Sequence, residues 1–320
     1  MVIKNGEAYG LRAFLHLEVL RLFGPVPGEA TDATLAIPYV TELTRDPSKL
    51  VSLTYGEVKK RILEDLDRAE KYLADDPFMQ GSMYDLNNPG ANSVDFTPDD
   101  DWHYYRQTHF NVYAVDATRA RFYQWIGNGA QAAVYARKVV EVENEDGTAK
   151  FALATNSTYT GADKGALVMA DEHIFAVNCS DLQDLINGVL ITSLASSKPD
   201  LYLENKWITS VYEDPESDNR SKSGRYFQTE GNNAYYLKYY RSGVIAATDM
   251  VPLIRLAEMY LILIENASLT EARQYFETFR QARGMDFAVS LGDETTRKNQ
   301  VEKEYRKDFW GEGQLFYYYK

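Results

Sequence analysis

The chain has 320 residues, 34 basic against 47 acidic, for a formal charge of −13, with 45% apolar and 25% charged side chains. This balance excludes a disordered or fibrous chain, and the acidity argues against nucleic acid, whose phosphates reward lysine and arginine. A lone cysteine, Cys179, excludes an intramolecular disulfide, and beside four histidines it leaves little material for a zinc site.

The unusual quantity is rings: 24 tyrosines, 14 phenylalanines and 4 tryptophans, so that some of them must sit at the surface or in a groove. The most apolar stretch, 251–264, is interrupted by Arg255 and Glu258 and falls short of the ~20 residues of a membrane span. The opening Val2-Ile3-Lys4-Asn5-Gly6-Glu7 reads as neither a secretion signal nor a lipoprotein start.

In chain order, Leu11, Phe14, Leu15, Val19 and Leu22 recur at helical steps over 6–23, closed by Gly24-Pro25-Val26-Pro27. A second helix opens at Thr54-Tyr55-Gly56-Glu57, a capping-box pattern, with the stripe Val58, Ile62, Leu66, Ala69 and Leu73. Residues 75–106 have no period, several turn formers and many rings, which predicts a long functional loop. A helix over 109–126 turns at Gly127-Asn128-Gly129 into an alanine-rich answering helix, a tetratricopeptide-like hairpin. Residues 144–250 are mixed, with a short helix predicted in 181–194 and a strand in 234–240. A second helix pair is predicted over 252–264 and 270–283, and a charged helix over 294–309, stopped by Gly311. The expectation is a mostly α fold: one domain over 1–320, with tetratricopeptide-like helix pairs as scaffold (1–74, 107–143, 250–320). Irregular loop-rich insertions (75–106, 144–249) and a few short strands complete it.

Several stretches, in order, resemble the SusD/RagB family of outer-membrane nutrient-binding lipoproteins of Bacteroidetes. They are 6–14 running into Arg21-Leu22-Phe23-Gly24-Pro25-Val26-Pro27; Asp214-Pro215-Glu216-Ser217-Asp218-Asn219-Arg220; 251–261; Arg280-Gln281-Ala282-Arg283-Gly284; and 304–314. Leu315 stands where the family usually has arginine, and Glu277 where its basic motif usually begins with asparagine. The family's N-terminal export and lipidation segment and its C-terminal tail are expected to be missing from the chain.

The resemblance implies a SusD-like helical scaffold and a surface-exposed place at the outer membrane. It also implies an oligosaccharide or polysaccharide ligand, a TonB-dependent SusC-like transporter as partner, no cofactor and no catalysis, in the service of polysaccharide utilization. Membrane contact would come only through a lipid anchor that this sequence does not carry.

Sugar binding needs flat rings for the apolar pyranose face, with carboxylates and amides for the hydroxyls. The ring-rich insertion therefore supplies the candidate ligand residues Tyr84, Asn92, Asp100, Asp101, Trp102, Tyr104 and Tyr105, each ring having fastening of the loop as its alternative role. Trp207, Tyr212, Tyr226, Tyr235 and Tyr236 form a second group, read mainly as core. Arg12, Arg280, Arg283, Glu304 and Arg306 are read as scaffold ion pairs. The triple aspartate at 99–101 lacks EF-hand spacing and reads as a solvated loop rather than a calcium site. No nucleophile elbow, dinucleotide or P-loop pattern occurs. A helical-repeat scaffold for a protein partner and, less favoured, a carbohydrate-active enzyme stay open beside the glycan-binding reading.

Overall fold

A computed structural model of the chain describes residues 2–87, 101–155, 167–186, 189, 201–221, 226–240, 249–285 and 289–320. The chain divides into two compact units, one of residues 1–150 with Phe316–Lys320 and one of Phe151–Leu315. The architecture is mostly α-helical with small two- and three-stranded sheets, as expected. No helix among the described residues is long and apolar enough to cross a membrane.

In the first unit, α1 (Val2–Phe23) packs along α2 (Tyr55–Tyr72), and Leu17, Leu20, Val58, Ile62 and Leu66 are wholly buried. Gly10 permits a close approach: a Cβ there would lie 2.2 Å from the Phe110 ring. Half of the expected capping box forms at α2. The Thr54 hydroxyl accepts the Glu57 N–H at 3.3 Å, while the Glu57 carboxylate turns to Arg61 at 2.9 Å. A two-stranded antiparallel hairpin, β1 (Leu35–Pro38) and β2 (Ser52–Thr54), joins the two helices.

The predicted loop 75–106 holds short helical turns, Pro77–Met79, α3 (Met83–Asn87) and Asp101–His103. Next come α4 (Val112–Trp125) and α5 (Gly129–Val140), the predicted hairpin. Asn111 and Asn128 cap them, and Gly127 makes the turn at φ +77, a conformation glycine adopts without a Cβ penalty. Buried Ala114, Ala117, Ala120, Ala132 and Ala136 let this pair lie close. The chain returns to this unit at its end, where Lys320 Nζ donates to the carbonyls of Arg21 (2.9 Å), Leu22 (3.1 Å) and Gly24 (2.9 Å), capping α1. Tyr317 lies 4.1 Å beneath the Arg21 guanidinium.

In the second unit, β3 (His173–Asn178) carries the short α6 (Leu182–Ile186) after it. Further on come β4 (Leu203–Glu204), α7 (Asn205–Val211), β5 (Phe227–Glu230) and β6 (Asn233–Tyr236), the strands ordered β4-β6-β5. The chain then forms β7 (Met250–Arg255), antiparallel to β3.

Here the sequence reading needs correction, because the helix predicted from 252 starts only at α8 (Leu256–Asn266). Pro252 lacks an N–H and drives Val251 to extended backbone, and β3 offers a ladder for the run. α9 (Leu269–Ala282) opens on a full capping box, Ser268 with Glu271, and packs on α8, as does α10 (Glu294–Asp308). α11 (Gln314–Tyr319) closes the chain.

Candidate functional site

The ring-rich segment of the first unit is held by a buried arginine. Arg106 makes a bidentate pair with Asp76, Nε–Oδ1 3.0 Å and Nη2–Oδ2 2.9 Å, and reaches Glu7 Oε1 at 2.6 Å through Nη1. Asp76 also accepts the N–H groups of Phe78 (2.9 Å) and Val112 (3.0 Å), so one carboxylate orders both ends of the loop. Glu7, on α1, accepts the Trp102 indole Nε1–H at 3.2 Å on one oxygen and faces His109 Nδ1 at 3.2 Å with the other. Burial by itself would raise the Glu7 carboxyl. The His109 hydrogen bond and the Arg106 charge outweigh it and hold the group below the usual carboxylate range.

On this anchored segment Trp102 is 39% exposed, Tyr105 48% and Tyr84 68%. Trp102 has Lys4 Nζ 4.4 Å from its ring centre and the edge of His109 at 4.7 Å. The Tyr105 N–H donates to the Leu86 carbonyl at 2.8 Å, which sets Tyr105 beside α3, the helix that carries Tyr84. Tyr104 is half-buried and Asp101 exposed. Asn92 and Asp100 lie outside the described residues. The arrangement offers rings and a carboxylate to solvent on a rigid base, a constellation suited to stacking and hydrogen bonding.

The second ring group divides. Tyr212, Tyr226, Tyr235 and Tyr236 are buried in the core of the second unit, as expected. Trp207 is 50% exposed, against the packing expectation, because α7 is short and its buried residue is the neighbouring Ile208. Tyr202, which composition and spacing did not single out, is also exposed and meets Tyr235 edge-on at 6.3 Å.

The motif charges of the second unit converge on one sealed cluster. Arg255 reaches Glu172 (2.8 Å), Asp308 (2.7 Å) and Glu312 (2.9 Å); Arg283 reaches Glu172 (2.7 Å) and Asp308 (2.7 Å). Arg220 reaches Asp218 (2.7 Å), Glu304 (2.7 Å) and Asp308 (3.0 Å). Burial opposes the charge on Glu304, yet Arg220 and Lys307 bring its carboxyl down to about 2. Asp308 is likewise held well below its ordinary value, burial being overcome by the charges of Arg283, Arg255 and Arg220. Strongly perturbed groups mark candidate active sites, but these are closed to solvent and satisfied by one another. They hold the fold, which is the scaffold role read for Arg283 and Glu304. Arg12 does the same in the first unit through Asp65 (2.6 Å). Arg306 pairs with Glu302 on the surface. Sequence reasoning missed Glu7, Asp76 and Glu172, whose partners are distant in the chain.

A family model described as the SusD family matches residues 91–319. No match is found among curated proteins. Among solved structures, the chain is similar to a SusD superfamily protein from Bacteroides thetaiotaomicron VPI-5482, with TM-score 0.70 and 19% identity over 98% of this chain and 65% of that one. A SusD-like carbohydrate binding protein from Bacteroides vulgatus ATCC 8482 gives TM-score 0.66 and 16% identity, covering 98% and 61%. Surface glycan-binding protein A from Bacteroides fluxus gives 0.60 and 17%, covering 98% and 66%. At these identities the likeness is one of fold, and the chain spans only about 65% of the length of the first of these structures.

Proposed function

The chain belongs to the SusD family, and from that premise we propose that it is the glycan-binding component of a SusC/SusD-type uptake complex. It acts at the outer-membrane surface and hands oligosaccharide to a TonB-dependent transporter. The observation that carries the reading is the patch of exposed rings, Tyr84, Trp102 and Tyr105, on a segment fixed by the Arg106–Asp76–Glu7 cluster. Exposed aromatic rings on an ordered base lose little entropy on binding and fit the apolar face of a pyranose. Tyr104, Asn92, Asp100 and Asp101 are the polar complement in this reading. The names of two structural neighbours, a carbohydrate binding protein and a surface glycan-binding protein, support the same ligand class and location. The reading is one of capture and release, with no covalent step.

The test is native affinity electrophoresis of the chain in gels containing pullulan, laminarin, xylan or galactomannan, followed by calorimetry on the gel that retards it. Retardation in at least one gel is expected, with no sugar released on prolonged incubation. Unretarded migration in every gel would overturn glycan binding, and released sugar on chromatography would move the protein to the enzymes. A second reading, a helical scaffold for a protein partner, is favoured by one observation: Leu15, Val19, Leu22 and Phe23 are exposed at helical spacing on α1.

A further inference from the structure

Among the described residues, two that are not glycine adopt left-handed backbone, Met169 at φ +56 and Tyr105 at φ +53. Such a conformation carries an energetic cost for a side chain with a Cβ and persists only where the surroundings impose it. At Met169 the compensation is visible. Its side chain is 1% exposed, lies in the core of the second unit, and accepts the Tyr226 hydroxyl hydrogen on Sδ at 3.1 Å.

At Tyr105 the backbone is held from both sides. Its N–H donates to Leu86 O at 2.8 Å, and its carbonyl accepts the Thr108 N–H at 2.8 Å and the Thr108 hydroxyl at 2.9 Å. The ring is far less enclosed than the Met169 side chain. It is 48% exposed, and among the described residues no aromatic or cationic partner faces it. Asparagine or glycine would occupy this backbone at lower cost. A tyrosine held here by its main chain therefore offers its ring outward at the expense of stability, while the neighbouring Trp102 is fastened by Glu7, Lys4 and His109.

Resting on the glycan reading above, we propose that Tyr105 is the principal stacking ring, the face on which a pyranose is held, and that Trp102 is the positioning residue that steadies its segment.

The test compares the unaltered chain with Tyr105→Asn and Tyr105→Phe, using native gels containing pullulan, laminarin, xylan or galactomannan together with thermal unfolding. Tyr105→Asn is expected to lose retention about tenfold or more, as removal of a central aromatic anchor does. Its unfolding midpoint should be unchanged or higher, because asparagine tolerates the left-handed region. Tyr105→Phe, which keeps the ring, should retain both binding and midpoint. Undiminished retention of Tyr105→Asn, or a lowered midpoint showing that the ring is packed by the fold, overturns the assignment. If the unaltered chain is not retarded in any gel, the glycan reading itself has failed, and that result is distinct from a retarded chain whose Asn variant is retarded equally.

Discussion

Arg255 and Asp308, 53 residues apart in the chain, meet at 2.7 Å with both side chains closed to solvent. Arg283 and Arg220 close on the same carboxylate at 2.7 and 3.0 Å. Removing a partner from a buried pair leaves an uncompensated charge, and this costs about 3–5 kcal/mol. Asp308→Ala should therefore lower the urea unfolding free energy by about that amount, since it takes away the one carboxylate that three buried guanidinium groups share and leaves excess positive charge among their remaining partners. A loss no larger than that of a surface pair, about 1 kcal/mol, would contradict the cluster's place in the fold.

Acid sensitivity follows from two buried groups. His173 Nε2 donates to the Val168 carbonyl at 2.7 Å; burial, then the charges of Arg255 and Lys238, hold its imidazole down to about 3 against an ordinary 6.5. Between those values only the unfolded chain takes up the proton, so stability begins to fall as pH drops below about 6.5. Glu304, brought down to about 2 from 4.5, contributes stability that is full above 4.5 and is lost as pH falls toward 2. A plot of unfolding midpoint against pH should be flat near neutrality and decline in two stages. His173→Gln, which keeps a donor in place, should remove the upper stage, and an unchanged profile in that variant would refute the assignment.

Gly10→Ala tests the contact of α1 with Phe110. The added methyl would lie 2.2 Å from a ring that is itself buried, so helix or ring must move. Overpacking of this kind costs about 1–3 kcal/mol, measurable as a lowered thermal midpoint. Gly127→Ala should also destabilise, but for the different reason of its positive φ, since no atom crowds the position.

Tyr84 and Trp102 should separate binding from stability. Tyr84→Ala removes a ring largely in solvent, so the unfolding free energy should stay within about 0.5 kcal/mol while polysaccharide retention falls. Trp102→Ala also breaks the 3.2 Å bond to Glu7, a hydrogen bond to a charged group worth about 1.5–3 kcal/mol. That variant should lose stability along with retention. Equal stability losses in the two variants would mean that Tyr84 is also a fastening ring.

The helices were legible because their signals are local. The Val58–Leu73 stripe and the Gly127 turn each act within a few residues. α1 was legible as a helix but its inner face was not, since Leu15, Val19 and Leu22 of the expected stripe are exposed and Ala13, Leu17 and Leu20 are buried instead. The start of α8 was not legible, because whether Val251-Pro252-Leu253-Ile254 extends depends on β3, some eighty residues earlier in sequence. In the ring segment, composition drew attention to Trp102 and Tyr105, whose rings are part-exposed in the structure. It had no means of finding Glu7, whose partners Trp102 and Arg106 lie 95 and 99 positions away. Trp207 was misread because one exposed ring on a two-turn helix has the same local pattern as a packed one.

The Lys320 cap on α1 bears on how the first unit can be handled. Its polypeptide is not contiguous, since its final residues follow the whole of the second unit in the gene. A fragment cut after Lys150 would express α1 with the carbonyls of Arg21, Leu22 and Gly24 stripped of their ammonium donor and with Arg21 stripped of Tyr317. Its first helix would fray from the carboxyl end, whereas grafting 316–320 back through a flexible tether should restore it.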